Sequence, residues 1–126
     1  MKYDEFIESV RRRTGLPREA AEKLTHATLQ VLAERISGGE ARDLAAQLPM
    51  PLQDALLPAS EEAEGFSFKE FVRRTAERAA TDAGVAEIAV DAMLATLRDA
   101  VTPGEFDDVL SQLPQDFKRL GAPRKA

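Results

Sequence analysis

Carboxylates are the first residues in this chain whose types and spacing could do chemistry. Glu40, Asp43, Glu105, Asp107 and Asp108 crowd two short stretches. In principle they could work as an acid/base pair, or ligate a hard cation, which needs several oxygens converging on one point. No EF-hand loop pattern surrounds them. Glu40 stands three residues after Ser37, and Glu105 three after Thr102. At that spacing a capping box would employ both, the hydroxyl taking a first-turn N–H and the carboxylate returning to the cap's own N–H. The expectation is therefore no catalytic residue, no metal and no cofactor. His26 is the single histidine and there is no cysteine, so neither a typical zinc site nor a cysteine–histidine pair can be built, and the serines have no evident triad. His26 is expected as an ordinary helix residue at the edge of the core.

A second feature is the tripeptide Gln-Leu-Pro, which occurs at Gln47-Leu48-Pro49 and again at Gln112-Leu113-Pro114. One reading is structural: each amide satisfies backbone groups where a helix ends before proline, while Leu48 and Leu113 plug the core. The other is functional, a paired surface that binds a partner symmetrically. Arg42, Gln47, Asp107, Asp108 and Gln112 are the candidate residues of that interaction surface. The arginine clusters, 11–13 and Arg73, Arg74 and Arg78, do not form a basic stripe, because consecutive helical residues point about 100° apart. A solvated, partly salt-bridged face is the expectation. The stretch from Arg18 to Leu48 superficially resembles a helix-turn-helix, yet its second helix offers Glu40, Arg42, Asp43 and mostly alanine rather than groups that read base edges.

These residues belong to a longer echo. Shifted by 65 residues, the chain aligns with itself without a gap from Tyr3 onward, with fourteen identities that include Glu5/Glu70, Arg13/Arg78, Ala27/Ala92, Asp43/Asp108 and Gln47/Gln112. This is read as an internal duplication. In the first copy, Tyr3, Phe6, Ile7 and Val10 make one apolar helical stripe, predicting a helix from Tyr3 to Thr14 with Gly15 as its C-terminal cap and Pro17 near the first turn of the next helix. From Arg18 to Ile36 apolar residues cover too wide an arc for one buried side, so this helix is expected to be central. Ser37 opens a third helix that buries Ala41, Leu44, Ala45 and Leu48 and ends at Pro49 and Pro51. One short further turn is expected over 52–57.

Positions 58–66, with Ser60, Glu61, Glu62 and Glu64, are predicted to be a solvated linker. In the second copy, Ser67 with Glu70 opens a helix with Phe68, Phe71, Val72 and Ala76 inward. Asp82 caps the next, with Val85, Ile88, Ala89, Ala92, Leu94, Leu97 and Val101 expected inside. Thr102, Pro103 and Glu105 start the third. Phe117 and Leu120 follow before Gly121, and 122–126 read as a frayed basic tail.

The composition suits this architecture: 44% hydrophobic and 31% charged residues are typical of a helical protein with a core rather than a disordered chain. Area scaling favours one joint core over two small ones. The fold expected is all-α, a single helical bundle over 1–121 built from two tandem repeats of about three helices each (3–57 and 67–121), pseudo-twofold related. The first residues hold acidic groups where a signal peptide needs basic ones, and no apolar run is long enough for a membrane span; a cytoplasmic location is expected. A net charge of −5 disfavours broad phosphate contact.

The duplicated pattern of Phe6 or Phe71, the Ala/Leu-rich second helix, Gly39-Glu40 or Gly104-Glu105, and the two Gln-Leu-Pro motifs resembles the bacterial and archaeal family catalogued as domain of unknown function 2267, over about Asp4 to Leu120. The resemblance implies a small all-helical protein and brings no catalytic residues. The second copy departs from it with Ala80 and Thr81 in place of Gly15 and Leu16. The leading expectation for function is a non-enzymatic module that binds another protein or itself, through faces formed by the duplicated third helices. The alternative is a receptor for a small apolar ligand held between the halves, with DNA binding a distant third.

Overall fold

The structure, a computed structural model, describes residues 1–58 and 60–120, the last three by their backbone alone. Gly121 and the expected tail 122–126 lie outside the described residues. The fold is all-α, with no strand among the described residues. Among the described residues eight helices follow one another: α1 (Tyr3–Thr14), α2 (Arg18–Arg35), α3 (Gly38–Ala46), α4 (Met50–Gln53), α5 (Phe68–Ala79), α6 (Ala83–Ala100), α7 (Pro103–Ser111) and α8 (Gln115–Leu120). A 3-10 turn, Asp54–Leu56, continues α4. The bounds of α5, α6 and α7 repeat those of α1, α2 and α3 at a spacing of 65 residues.

The helix ends follow local chemistry. Gly15 closes α1 in the left-handed region (φ 75°), its N–H donating to the Arg11 carbonyl at 2.8 Å. Ala80 closes α5 in the same region (φ 53°, ψ 48°), and the Thr81 N–H reaches back to the Ala76 carbonyl at 3.0 Å, a Schellman motif built without glycine. The two inter-helix turns thus place a left-handed residue at the same position, although the sequence departs there and the closing bonds differ. Pro17 sits beside the first turn of α2 as its N-cap residue. Asp82 Oδ1 accepts the Val85 N–H at 2.8 Å and caps α6. Pro51 does not end a helix: it lies in the first turn of α4, where its missing N–H leaves no bond unmade.

α2 and α6 are central. Each packs against both α1 and α5, and they pack on one another. The main core joins Phe6, Ile7, Leu29, Leu32 and Leu44 to Phe71, Val90, Met93, Leu97 and Phe106. Across it a buried hydroxyl pair, Ser9 Oγ and Thr96 Oγ1 at 2.9 Å, links α1 to α6. Phe117 anchors α8: it is fully buried and meets Phe68 and Phe71 edge-on, with ring centroids 4.9 Å away in each case. Burying such a side chain contributes about 1.5–3 kcal/mol. One inward assignment is corrected. Ile88 is 55% exposed, because the buried arc of α6 runs through Ala86, Ala89, Val90 and Met93 instead.

The segment between the halves is exposed but tied down. Gly38 N–H donates to the Glu61 carbonyl and Glu64 N–H to the Glu34 carbonyl, both at 2.9 Å. Arg42 grips Glu61 through both guanidinium nitrogens at 2.6 and 2.9 Å. Glu61 runs so close over α3 that a Cβ at Gly38 would lie 3.0 Å from its Cα. Phe66 ends the segment between two guanidinium groups, Arg74 at 3.9 Å and Arg35 at 5.9 Å from its centroid.

Candidate functional site

The two Gln-Leu-Pro glutamines do not serve the ends of their own helices. Gln47, after α3, crosses to the start of α7, where its Oε1 accepts the Thr102 backbone N–H at 2.8 Å. Gln112, after α7, crosses to the start of α3, where its Oε1 accepts the Ser37 N–H at 2.7 Å. Each amide nitrogen also approaches the cap hydroxyl, at 3.4 Å in both cases. The exchange is reciprocal, and it corrects the expected capping boxes. Ser37 Oγ does accept the Glu40 N–H, and Thr102 Oγ1 the Glu105 N–H, both at 3.2 Å. The return bond, which the glutamate would make in a box, is made by the opposite half's glutamine.

Relieved of that bond, Glu40 and Glu105 turn into the seam where α3 packs on α7. Oxygens of Glu40, Asp43 and Glu105 lie within 4.8 Å of one another. Glu105 is only 8% exposed. Its Oε2 and that of Glu40 are shut off from solvent with no partner among the described residues. Burial, then the neighbouring Glu40 carboxyl, and then Asp43 and Asp108 push the Glu105 carboxyl up to about 8. The shift favours the neutral, protonated form of Glu105, whose carboxyl faces that of Glu40.

Of the residues singled out for an interaction surface, Gln47 and Gln112 are half-buried and bonded within the chain, and Arg42 is engaged with Glu61. Asp107 and Asp108 are exposed on α7. The signal for the seam was present in the repeated Gly-Glu-x-x-Asp spacing; the capping-box match drew Glu40 and Glu105 away from it. His26 lies at the core edge, 3.4 Å from the Tyr3 hydroxyl.

The arginines of the second cluster form the expected partly salt-bridged face. Arg74 reaches Glu34, Glu64 and Glu70 at 3.0, 3.3 and 2.9 Å, Arg78 pairs with Glu34, and Arg73 with Glu70 and Glu77. The paired guanidinium groups of Arg73 and Arg74 hold the Glu70 carboxyl down to about 2.

Two concavities were not anticipated by residue. A groove of about 620 Å³ runs between α5 and α6, floored by Phe68, Val72 and Ala76 and edged by Lys69, Ala83 and Glu87. At the corresponding place in the first half, α1 and α2 are laced together. Arg18 donates to Asp4 at 2.6 Å and to Glu22 at 3.3 Å, and the Tyr3 hydroxyl donates to Glu22 at 2.6 Å. Sixty-five residues on, Ala83 stands for Arg18 and Phe68 for Tyr3, which removes both laces. A smaller concavity of about 470 Å³ lies between the halves, against Leu16, Leu24, Ala79 and Val85.

No described helix is long and apolar enough to cross a membrane. The model of the family described as "Uncharacterized conserved protein (DUF2267)" matches residues 3–120. No curated protein matches the chain.

Proposed function

From the premise that the chain belongs to the DUF2267 family of uncharacterized conserved proteins, we propose that it acts by binding another protein rather than by catalysis, and that its two halves are pseudo-twofold repeats diverged for that purpose. The repeat reading is supported by the 65-residue recurrence of helix bounds and the reciprocal glutamine bonds.

The observation that carries the binding reading is the difference between the two α-helical pairs. The first is closed by Arg18 and Tyr3, and the second is left open over an apolar floor. The occupant is an amphipathic helix of a partner, laid in the groove by its apolar stripe. Phe68 to Ala76 spans about two turns, roughly 12 Å. The exposed Ile88, one turn beyond Gly84, extends the apolar surface. Lys69 on one wall and Glu87 on the other fit a helix acidic on one flank and basic on the other, and this polarity sets its direction.

Selection from a displayed library of helical peptides tests this. Peptides of that pattern bind saturably to the wild-type chain, cross-link to Lys69, and lose affinity when Ala83→Arg restores the bridging residue beside Glu87. Failure to select a binder, or binding indifferent to Ala83→Arg, overturns it; self-association blocked by the same substitution would make a second copy the occupant.

A second reading, a small apolar ligand between the halves, is favoured by the concavity at Leu16, Leu24, Ala79 and Val85. Thermal shift against a metabolite library, with Ala20→Phe on the wall of that concavity as the blocking variant, separates it from the first.

A further inference from the structure

We propose that the seam between α3 and α7 is a binding site for a hard divalent cation of the calcium or manganese class, ligated by Glu40, Asp43 and Glu105. Their oxygens already converge within 4.8 Å of one another. A Ca²⁺ ion with oxygens at 2.3–2.6 Å has a ligand shell roughly 5 Å across, and the separations of these three oxygens fall within that span. The donors are all carboxylate oxygens, with no imidazole or thiolate. Such a set selects hard cations over zinc or copper.

Proximity of acids alone would not make a site. The second observation is Glu105 itself: more than nine-tenths buried, aimed into the cluster, with Oε2 unpartnered. An ionised carboxylate in that position is expensive unless something positive meets it. Among the described residues no arginine, lysine or backbone N–H does so. Arg42, the nearest in sequence, points outward to Glu61. A divalent ion would meet the buried Glu40 and Glu105 oxygens together and take Asp43, on the exposed rim, as a third ligand. The cap bonds point the same way. Glutamine from the opposite half supplies the acceptor at Ser37 and at Thr102, which releases both glutamates to face the seam. The site requires both halves of the chain.

The test uses the full chain, stripped of metal, with Mn²⁺ binding followed by electron paramagnetic resonance and Ca²⁺ by thermal unfolding. One saturable Mn²⁺ site is expected, displaced by Ca²⁺, with a melting temperature that climbs with the logarithm of Ca²⁺ concentration. Glu105→Gln and Glu40→Gln each weaken binding by about tenfold or more, since ligand charge sets affinity in such sites. Glu62→Gln, an exposed acid elsewhere, leaves it unchanged. Asp43→Asn, on the exposed rim, provides the same reading should a seam variant not fold. No saturable site, or affinity unaltered in Glu105→Gln and Asp43→Asn, overturns the proposal. So does a melting temperature that Glu105→Gln raises while Ca²⁺ has no effect on the wild type, which would mark a proton-sharing pair instead.

Discussion

The side chain of Gln47 accepts the backbone N–H of Thr102 at 2.8 Å, so the residue that ends one short helix begins another in the opposite half. Gln112 does the same for Ser37. Replacing either glutamine by alanine leaves an N-cap N–H without its acceptor, and should cost about 1–2 kcal/mol in urea unfolding. Both bonds tie the same two helices together. The double variant should therefore depart from additivity. If both single variants unfold at the wild-type urea midpoint, the crossing bonds are incidental to the fold.

Ala80 occupies the left-handed region that Gly15 occupies in the first half. A Cβ there clashes with the following carbonyl at a cost of about 1–2 kcal/mol, offset in part by glycine's greater freedom in the unfolded chain. Ala80→Gly should stabilise the protein by about 1 kcal/mol, and Gly15→Ala should destabilise it by a similar amount. Calorimetric melting temperatures moving in opposite directions would confirm the pair; a lower melting temperature for Ala80→Gly would mean that the turn is not strained.

The helices were legible in the sequence because apolar spacing, Gly15, Asp82 and Pro103 are local signals, and local signals place helix ends to within a residue or two. Ile88 was misplaced because α6 has more apolar positions than its buried arc can hold, and only packing against α1, α2 and α5 decides which are left out. The crossing of Gln47 and Gln112 was illegible for a different reason. A side chain that caps a helix 55 or 75 residues away leaves no signature at short range. The capping-box spacing at Ser37 and Thr102 is correct for the hydroxyls and wrong for the glutamates, and assigning Glu40 and Glu105 to the caps set aside their convergence with Asp43. The groove became visible only when Arg18 and Ala83 were compared in their surroundings.

Arg74 is the centre of the charged face. It pairs with Glu34, Glu64 and Glu70 while its guanidinium carbon lies over the Phe66 ring. A lysine cannot reproduce that fork and stack. Arg74→Lys should cost about 1–2 kcal/mol, within the range of a partly buried network with a cation–π contact, and the loss should shrink in high salt as screening weakens the wild type. A substitution without effect at low salt would assign the anchoring of the 60–66 segment to Arg42 and Glu61 instead.

Glu105 and Glu70 draw opposite pH profiles. The Glu105 carboxyl, ordinarily near 4.5, is held up to about 8 in the folded chain by burial and by Glu40. The folded state therefore binds this proton more tightly than the unfolded state does. Its contribution to stability is complete below pH 4.5 and is lost as pH rises through about 8. Glu70 is held down to about 2 by Arg73 and Arg74, so its contribution is present above pH 4.5 and is lost as pH falls through about 2. In chelator-treated buffer the wild-type unfolding free energy should decline between pH 5 and pH 8. Glu105→Gln, neutral throughout and nearly the same shape, should flatten that decline and leave the acid limb unchanged. Parallel urea titrations of the two proteins from pH 3 to pH 9 measure both limbs, and a wild-type profile that is flat from pH 5 to 8 would mean that Glu105 is ionised in the folded chain.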